Sequence, residues 1–493
     1  MEIGSLIRRA SRHHGDRVCL VEGDRRLTFH EFDQLTDRVG HALLERGLQA
    51  GDRVGVLLPN GIDCLIVYYA LAKSGLVRVS LNTRDTEDDQ RHKIADSGAR
   101  AVFVGEGPRA FDIEFVFDHG DVADMMAAPD RGPCAVDRGL EAPYRLGYTG
   151  GTTGAPKAVT LTTRGELAEI SAFLTDLVPN IGHEDVFLHA APIAHASGAF
   201  FLPALVRGTT SVVMKKFDPA GFVHLAEQSR ASYTFLVPTM LAMILDEPAA
   251  ETADLAFTCI AYGAAPMPPT LLERATRRFG EVFAQTYGQA ESPMVITCLK
   301  PGEHGRIGSC GRPFTCVDVA IFDDADNPLP PGEVGEIVCR GPQLMARYWN
   351  RPEATAKAFR SGWLHTGDVG KMDEDGFFYI LDRKNDMLIS GGYNVYPREV
   401  EDVLMAFDGV REAAVVGLPD ETWGDRVVAV VAGAGELDAD ALLGFARSRL
   451  PGYKCPKAIS VWSELPKSPA NKIMRRTVRD RLISRQAEVV DGN

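Results

Sequence analysis

Glycines, threonines and one lysine are concentrated in residues 148–159, which read Tyr-Thr-Gly-Gly-Thr-Thr-Gly-Ala-Pro-Lys-Ala-Val. Glycine has no Cβ atom, so its backbone N–H groups can approach an anion closely, and threonine adds hydroxyl donors. The lysine supplies a compact positive charge. The segment predicts a polyphosphate-binding loop, with a flexible surface turn as the alternative. The residues expected to contact phosphate are Thr149, Gly150, Gly151, Thr152, Thr153, Gly154 and Lys157.

This loop differs from the Walker A loop of P-loop ATPases. That motif requires Gly-Lys followed by Ser or Thr at the start of a helix. Here Pro156 precedes the lysine, and Ala158 and Val159 follow it. A P-loop ATPase is therefore disfavoured.

The segment resembles the phosphate loop of the adenylate-forming superfamily, which includes acyl-CoA synthetases, carrier-protein adenylation domains and luciferases. The usual form is Tyr-Thr-Ser-Gly-Thr-Thr-Gly-x-Pro-Lys-Gly-Val, so Gly150 occupies the serine position and Ala158 the last glycine position. The sequence of residues 389–401 resembles the corresponding motif of the CoA ligases more than that of the other branches. Motifs in the family's order cover most of the chain, at 192–198, 287–291, 365–368, 382–401 and 466–472.

The resemblance implies an ATP/AMP site built from several of these motifs. Residues 287–291, Tyr-Gly-Gln-Ala-Glu, follow a predicted strand at 282–285, and ligands bind at the carboxyl ends of such strands. Glu291 is implied to hold Mg²⁺, although from the residues alone a solvated carboxylate is the alternative. Ala290 replaces the family's threonine, whose hydroxyl binds the α-phosphate. The other implied nucleotide contacts are Tyr287, Gly288, Gly263, Ala264 and Ala265 at adenine and the acyl pocket, and Asp368 with Arg383 at the ribose.

Two further residues are implied to act on the substrates. His195, in Pro-Ile-Ala-His-Ala-Ser-Gly, would gate access for the second substrate, whereas a histidine in an apolar stretch is by itself an ordinary core residue. Lys472 would be a mobile catalytic lysine that neutralises charge as pyrophosphate leaves. Without the resemblance it would be a solvated lysine. Asn471 takes the place of the family's glycine, and asparagine tolerates the left-handed conformation.

Five polar residues, Asp-Arg-Lys-Asn-Asp at 382–386, separate two apolar segments. The resemblance implies that Asn385 is the hinge on which a C-terminal domain turns between two catalytic poses. After the turn, Ser390, Gly391 and Gly392 would line the tunnel for the thiol of CoA. A plain charged turn and a hairpin turn are the alternatives for these two segments.

The hydrophobic pattern predicts an α/β fold with two domains. Strand-like runs alternate with helical ones between residues 53 and 285, which indicates parallel sheets covered by helices. Short β runs separated by turn residues predict a β-rich subregion at about 317–380. We expect a large multi-sheet N-terminal domain over 1–384 and a small, mobile α+β domain over 385–493.

Composition excludes some classes of protein. The net charge of −14 over 493 residues argues against a nucleic-acid partner and favours small-molecule partners. Nine cysteines without a Cys-x-x-Cys pair fit neither a disulfide framework nor a zinc site, so we expect reduced thiols in the cytoplasm. No export or membrane-spanning segment is visible in the sequence. A monomer and a homodimer both remain open.

Together these features predict an ATP-dependent acyl-CoA synthetase with Mg²⁺ as cofactor and ATP and CoA as substrates. A carboxylic acid would form acyl-AMP and pyrophosphate, and CoA would then take the acyl group and release AMP. The motifs do not identify the acid, and our expectation leans towards a medium- or long-chain fatty acid. Two alternatives stay open: adenylation for a separate carrier protein or for release of free acyl-AMP, and a non-catalytic acyl- or nucleotide-binding paralogue.

Overall fold

The computed structural model describes residues 2–105, 111–149, 156–384, 386–420, 422–433, 435–467 and 473–491. The helices in these ranges are α1 (Ile3–His14), α2 (Phe29–Glu45), α3 (Ile62–Lys73), α4 (Glu87–Ser97), α5 (His119–Ala127), α6 (Thr163–Ala172), α7 (Ala196–Ala199), α8 (Phe201–Arg207), α9 (Pro219–Ser229), α10 (Pro238–Leu245), α11 (Ala249–Thr252), α12 (Pro269–Phe279), α13 (Pro352–Ala358), α14 (Pro397–Met405), α15 (Ala439–Arg447) and α16 (Arg475–Asp491). A π-helical turn, Phe173–Leu177, continues α6.

The strands in these ranges are β1 (Val18–Glu22), β2 (Arg25–Thr28), β3 (Arg53–Leu57), β4 (Val77–Ser80), β5 (Ala101–Val104), β6 (Phe115–Phe117), β7 (Pro143–Tyr148), β8 (Ala158–Thr162), β9 (Val186–His189), β10 (Thr210–Val213), β11 (Tyr233–Leu236), β12 (Cys259–Gly263), β13 (Phe283–Gln289), β14 (Ser292–Leu299), β15 (Arg312–Pro313), β16 (Asp318–Phe322), β17 (Gly335–Arg340), β18 (Arg347–Tyr348), β19 (Phe359–Arg360), β20 (Trp363–Met372), β21 (Phe378–Arg383), β22 (Leu388–Ser390), β23 (Tyr393–Val395), β24 (Val410–Asp420), β25 (Gly424–Gly433) and β26 (Ala458–Val461).

Two large sheets form the N-terminal body. The first has the order β15-β14-β13-β12-β11-β9-β10-β1-β2 and the second the order β18-β8-β7-β4-β3-β5-β6. The central strands of both sheets are parallel, and the edge strands are antiparallel except β6, which is parallel to β5. Parallel strands need apolar cover on both faces, which explains their continuous apolar runs. Phe200 and Phe201 are adjacent and fully buried, and they belong to the two largest apolar cores.

The β-rich subregion is antiparallel, as predicted. Strands β16, β17, β20 and β19 lie in that order, and β21 pairs with the free part of β20. Strand β18 leaves this subregion and pairs with β8 instead. The subregion is therefore tied directly to the strand that follows the predicted phosphate loop.

The C-terminal unit is a five-stranded sheet with helices on both faces. Alternate residues of β24 face opposite sides, as the two-residue period of a strand requires. Val415 packs with α14 and α15, and Val416 packs with α16. The predicted α/β class and the small C-terminal unit are confirmed, whereas the boundary at 384/385 stays a prediction.

One predicted element boundary was wrong. The strand predicted at 282–285 continues to Gln289, so Tyr287 and Gly288 lie within β13 and not after it. The reason is the antiparallel partner β14, which pairs Tyr287 with Thr297 and Gln289 with Ser292. Glu291 is thereby placed in the tight turn between β13 and β14.

All nine cysteines are free, and eight of them are buried. This agrees with the expected reduced thiols. Within the described ranges, no helix has the length and apolar character needed to cross a lipid bilayer.

Candidate active site

Asp368 and Arg383, the predicted ribose-binding pair, lie directly opposite each other on β20 and β21. The Arg383 Nε atom is 2.7 Å from one carboxylate oxygen of Asp368. The Tyr287 hydroxyl donates to the other oxygen at 2.5 Å. Burial and the neighbouring Asp368 charge raise the pKa of the Tyr287 phenol well above its usual value, so the phenol keeps its proton and remains a donor.

Lys157, Tyr348 and Glu291 form a second group of contacts. Tyr348 lies on β18 beside Val159 of β8, a register that places the Lys157 ammonium 4.5 Å from the centre of the Tyr348 ring. The Tyr348 hydroxyl donates to Glu291 Oε1 at 2.6 Å. Burial and the Glu291 charge raise the pKa of Tyr348, so this phenol also stays protonated. A cation at the face of a tyrosine ring is a stabilising contact.

The charge of Arg383 influences both groups. Partial desolvation opposes this charge, but the nearby Asp368, Tyr287 and Glu291 groups raise the pKa of the guanidinium. The site therefore holds two groups of contacts, Lys157–Tyr348–Glu291 and Tyr287–Asp368–Arg383, which are electrostatically coupled through Arg383. The first group contains a lysine beside a Gly/Thr-rich segment, and the second contains a carboxylate that can accept from vicinal hydroxyls.

Glu291 is 8% exposed and is the predicted Mg²⁺ ligand. The described residues hold no group of three or more His, Cys, Asp or Glu side chains placed to bind a metal ion. Mg²⁺ is usually bound by one or two carboxylates together with substrate phosphates and water. A single carboxylate beside the phosphate loop fits that pattern, so the residues present are compatible with a nucleotide-bound Mg²⁺.

The two ends of the predicted phosphate loop are bonded to each other. The Thr149 N–H donates to the Lys157 carbonyl at 3.0 Å, and the Lys157 N–H donates to the Thr149 hydroxyl at 3.3 Å. These bonds continue the β7–β8 pairing towards the loop. The other loop predictions, Gly150, Gly151, Thr152, Thr153 and Gly154, lie outside the described residues, as do Asn385, Asn471 and Lys472.

Ser292 does not replace the hydroxyl that Ala290 lacks. Its side chain is fully buried. It donates to the Val295 carbonyl at 2.8 Å and accepts from the Gln343 amide at 3.1 Å. With its donor and an acceptor site both engaged inside the fold, this hydroxyl is not available to a phosphate.

Two predicted glycines serve backbone packing. A Cβ on Gly288 would lie 2.5 Å from the Met294 backbone, and a Cβ on Gly263 would lie 2.5 Å from the Thr286 carbonyl oxygen. The space on the Cβ side of Gly263 is therefore filled by the neighbouring strand. Ala264 is exposed and has a φ of 67°, a strained value for a residue with a side chain. Ala265 is exposed beside it, and contact of this segment with adenine stays a prediction.

His195 is exposed, so it is not an ordinary core histidine. Its Nε2 atom is 2.9 Å from the Asn82 side-chain amide nitrogen. The Asn82 amide oxygen accepts from the Arg84 N–H at 2.9 Å, which fixes the orientation of the amide. Nε2 therefore accepts from Asn82, and the proton of the neutral imidazole is on Nδ1.

A second histidine holds the segment that carries His195. His189 is fully buried, with Nδ1 3.1 Å from the Ser197 carbonyl and hydroxyl and Nε2 3.2 Å from the Ser211 hydroxyl. Burial lowers the pKa of His189 to about 3, so its ring stays neutral. This histidine fastens α7 to the sheet, and His195 immediately precedes α7.

Gly391 and Gly392 form the turn between β22 and β23, with φ values of 59° and 81°. The predicted alternative of a hairpin turn thus describes their local structure correctly. Gly391 donates to the Trp423 carbonyl at 2.8 Å, and Ser390 is buried. Ile389 and Tyr393, on either side, are 53% and 60% exposed. An exposed hairpin tip is compatible with a surface that contacts a partner in another pose, and the CoA-tunnel role stays a prediction.

Comparison with known proteins assigns the chain to a family. The family described as AMP-binding enzyme matches residues 7–349, and the one described as AMP-binding enzyme C-terminal domain matches residues 399–472. The chain belongs to the AMP-binding enzyme family. The predicted adenylate-forming superfamily, its acyl-CoA synthetase branch and the prediction of an enzyme of the ligase class are confirmed.

Relatives cover almost the whole chain. A medium/long-chain-fatty-acid–CoA ligase of Mycobacterium tuberculosis is 36% identical over 97% of this chain and 90% of the relative. A feruloyl-CoA synthase of an Amycolatopsis species is also 36% identical, over 97% of this chain and 99% of the relative. The solved o-succinylbenzoate CoA synthetase of Bacillus subtilis, in complex with its acyl-adenylate intermediate, is 29% identical with a TM-score of 0.88, covering 96% and 98% of the two chains.

In this AMP-binding enzyme, sequence reasoning missed Tyr348 and Asn82. Neither residue lies in a segment that the family pattern singled out, and each reaches its partner from a different part of the chain. Tyr348 is 57 residues from Glu291, and Asn82 is 113 residues from His195. The only local signal was a tyrosine in the short run Arg-Tyr-Trp, which does not reveal its partner.

Proposed function

We propose that this protein is an ATP-dependent acyl-CoA synthetase. In the first half-reaction, a substrate carboxylate oxygen attacks the α-phosphorus of ATP and pyrophosphate leaves, forming acyl-AMP. In the second, the thiol sulfur of CoA bonds to the acyl carbon, the bond from that carbon to the phosphate oxygen breaks, and AMP leaves. The thiol proton is released.

The two electrostatically coupled groups of contacts, Lys157–Tyr348–Glu291 and Tyr287–Asp368–Arg383, carry this proposal. It supports a nucleotide laid across the site, with its ribose hydroxyls at Asp368 and its phosphates at Lys157 and residues 149–154. Groups held by neighbours before substrate arrives need little reorganisation as charge develops, which favours catalysis. The family membership supports the same orientation.

Three further residues have proposed roles in the two half-reactions. Glu291 would hold Mg²⁺, which when bound would neutralise phosphate charge. Lys472 would act on the carboxylate and the α-phosphate in the first half-reaction. His195, held by Asn82 in the Nδ1–H tautomer, would border the carboxylate and admit the thiol.

For the second half-reaction, we propose that the C-terminal domain, residues 385–493, turns about Asn385. The turn would withdraw Lys472 and bring Ser390, Gly391 and Gly392 to the acyl-AMP. The exposed tip of the β22–β23 hairpin supports this role, because Ile389 and Tyr393 beside it are 53% and 60% exposed and available to contact the N-terminal body after the turn. A rotation of this kind commits the bound intermediate to transfer.

For the acid, we propose a medium- or long-chain fatty acid, supported by the fatty-acid ligase among the relatives. An aromatic acid is the second candidate, because the feruloyl-CoA synthase is equally similar. A panel of saturated acids of increasing length and of hydroxycinnamic acids, assayed for CoA-dependent pyrophosphate release, separates the two. A higher kcat/KM for the aromatic acids than for every fatty acid would reject the first candidate.

The function itself is tested by measuring AMP production with and without CoA. Stoichiometric AMP and acyl-CoA are expected with a good acid. Pyrophosphate exchange without CoA-dependent AMP would point to a carrier protein or to released acyl-AMP. No nucleotide turnover with any acid, despite ATP binding, would point to a non-catalytic paralogue.

A further inference from the structure

Arg475 has an unusually complete set of ionic partners. Its Nε and Nη2 atoms donate to the two carboxylate oxygens of Glu401 at 2.8 and 2.6 Å, and Nη1 donates to Asp382 at 2.7 Å and to Asp386 at 3.1 Å. The side chain is 22% exposed, and that of Asp382 is 2% exposed. Despite the burial, the three carboxylates raise the pKa of Arg475, so it remains charged.

These partners lie on both sides of the proposed hinge. Asp382 is on β21, three residues before Asn385, and Asp386 is one residue after it. Glu401 is on α14 of the C-terminal unit. One guanidinium therefore joins the strand that ends the N-terminal body to two elements that follow the hinge.

Asp382 is the centre of this cross-hinge contact. Its Oδ2 atom accepts from the Arg398 N–H at 2.7 Å, in the first turn of α14, where helix N–H groups lack partners within the helix. Its Oδ1 atom accepts from the Arg383 N–H at 2.8 Å as well as from Arg475. Arg383 is the residue that pairs with Asp368 in the candidate active site. We call the contacts of Arg475 with Asp382, Asp386 and Glu401, together with the bond from the Arg398 N–H to Asp382, the clamp. Asp382 of this clamp is one residue away from Arg383, the proposed ribose contact.

The other end of the clamp, Arg475, is close in sequence to the proposed catalytic lysine. Arg475 is the first residue of α16 and follows Lys472 by three positions in the sequence. A residue that fixes the start of α16 against β21 also constrains Ile473 and Met474, which directly precede it. A hydrogen-bonded arginine fork fixes orientation as well as distance, which a lysine ammonium does not.

We propose that Arg475 is a positioning residue for adenylation, which holds the C-terminal domain in the pose that presents Lys472 and releases Asp382 when the domain turns. The proposal rests on the proposed function, because it takes the roles of Lys472 and Asn385 from it. The Arg475–Glu401 pair lies within the C-terminal unit and moves with it. The bonds from Asp382 to Arg475 and to the Arg398 N–H cross the hinge and belong to one pose.

The test compares Arg475→Lys with Arg476→Lys. Arg476 is the next residue, and its side chain is 70% exposed. Its ion pair with the exposed Asp480 carboxylate is a long surface contact of 4.0 Å. This control therefore changes the same residue type outside the clamp. For Arg475→Lys we expect ATP–pyrophosphate exchange to slow roughly tenfold to a hundredfold, as for a lost charge-assisted hydrogen bond. Thioester formation from supplied acyl-AMP should change by less than about twofold. Arg476→Lys should match the wild type in both.

A second variant guards against misfolding at position 475. Asp382→Asn keeps an acceptor for the Arg398 N–H and removes the charge that Arg475 contacts. It should show the same split between half-reactions, and the double variant should be no slower than the slower single variant, because the two residues act as one unit. Equal losses of rate in both half-reactions would overturn the proposal. So would a wild-type rate of ATP–pyrophosphate exchange in Arg475→Lys.

Hydrogen–deuterium exchange of peptides covering residues 381–400, without substrate, provides a readout independent of activity. We expect faster exchange in Arg475→Lys and Asp382→Asn than in the wild type and in Arg476→Lys. Unchanged hydrogen–deuterium exchange in both variants would contradict the clamp. If the wild type activated no acid, the proposed function would fail, and faster exchange confined to the two clamp variants would still support the clamp.

Discussion

The candidate nucleotide site and the hinge use charged side chains in different ways. At the nucleotide site, Asp368, Arg383 and Tyr287 pair with one another within the N-terminal body. At the hinge, Arg475 of α16 pairs with Asp382 across the proposed boundary. Contacts within one body can persist through both half-reactions, whereas contacts between two bodies must change when one of them turns. Variants of the first region should therefore affect both half-reactions, and variants of the second should separate them.

The largest effect is expected for Lys472→Ala. Removing a group that stabilises developing charge costs roughly a hundredfold to a thousandfold in rate. Pyrophosphate exchange should fall by this amount, while thioester formation from supplied acyl-AMP should remain close to normal, because the lysine acts in one pose only. Lys357→Ala, an exposed lysine on α13, is the matched control. Wild-type exchange in Lys472→Ala would remove this lysine from the mechanism.

Asn385→Pro should give the opposite separation. Proline fixes φ, so a hinge residue that must rotate loses its freedom, and we expect the second half-reaction to slow roughly a hundredfold with the first nearly unchanged. Both half-reactions are measured separately, as for Lys472. Asn385→Ala, which leaves φ free, is the control. A proline variant that makes acyl-CoA at the normal rate would place the hinge elsewhere.

Asp368→Asn tests the nucleotide site, where contacts should persist through both half-reactions. The amide cannot accept from Arg383 and from ribose hydroxyls as a carboxylate does, so we expect kcat/KM for ATP and for acyl-AMP both to fall, roughly tenfold to a hundredfold. Asp318→Asn removes an exposed carboxylate that pairs with Arg340 on the surface, and it should change neither value. A loss confined to one half-reaction would contradict a contact that persists in both.

The smallest effect is expected for Ala290→Thr, which restores the hydroxyl that the family pattern has at this position. The buried Ser292 hydroxyl is engaged by Val295 and Gln343, so no neighbouring serine substitutes for it. One added charge-assisted hydrogen bond is worth about 1.5 kcal/mol at the lower end of its range, so adenylation should quicken about tenfold. Ala290→Val adds the same bulk without the hydroxyl. Equal losses in both variants would show that this enzyme binds its phosphate differently.

Much of the fold could be predicted because periodicity is local. The alternation of strands and helices and the antiparallel subregion follow from runs of a few residues, whereas the helix α16 of the C-terminal unit was not predicted. The end of β13 could not, because its last residues are held in the strand by β14, which the local pattern does not reveal. Glycines were similarly ambiguous. Gly288 and Gly263 are close to the site, but what requires them is a neighbouring backbone.

The sequence by itself determined the family, the order of the motifs and the types of residue available for chemistry. The tertiary structure decided which of them meet: Tyr348 with Glu291, Asn82 with His195, and Arg475 with Asp382, which are 57, 113 and 93 residues apart. These pairs depend on the register of strands and the docking of helices. Such contacts arise from the packing of the whole core, and a short stretch of sequence has no means of specifying a partner so far along the chain.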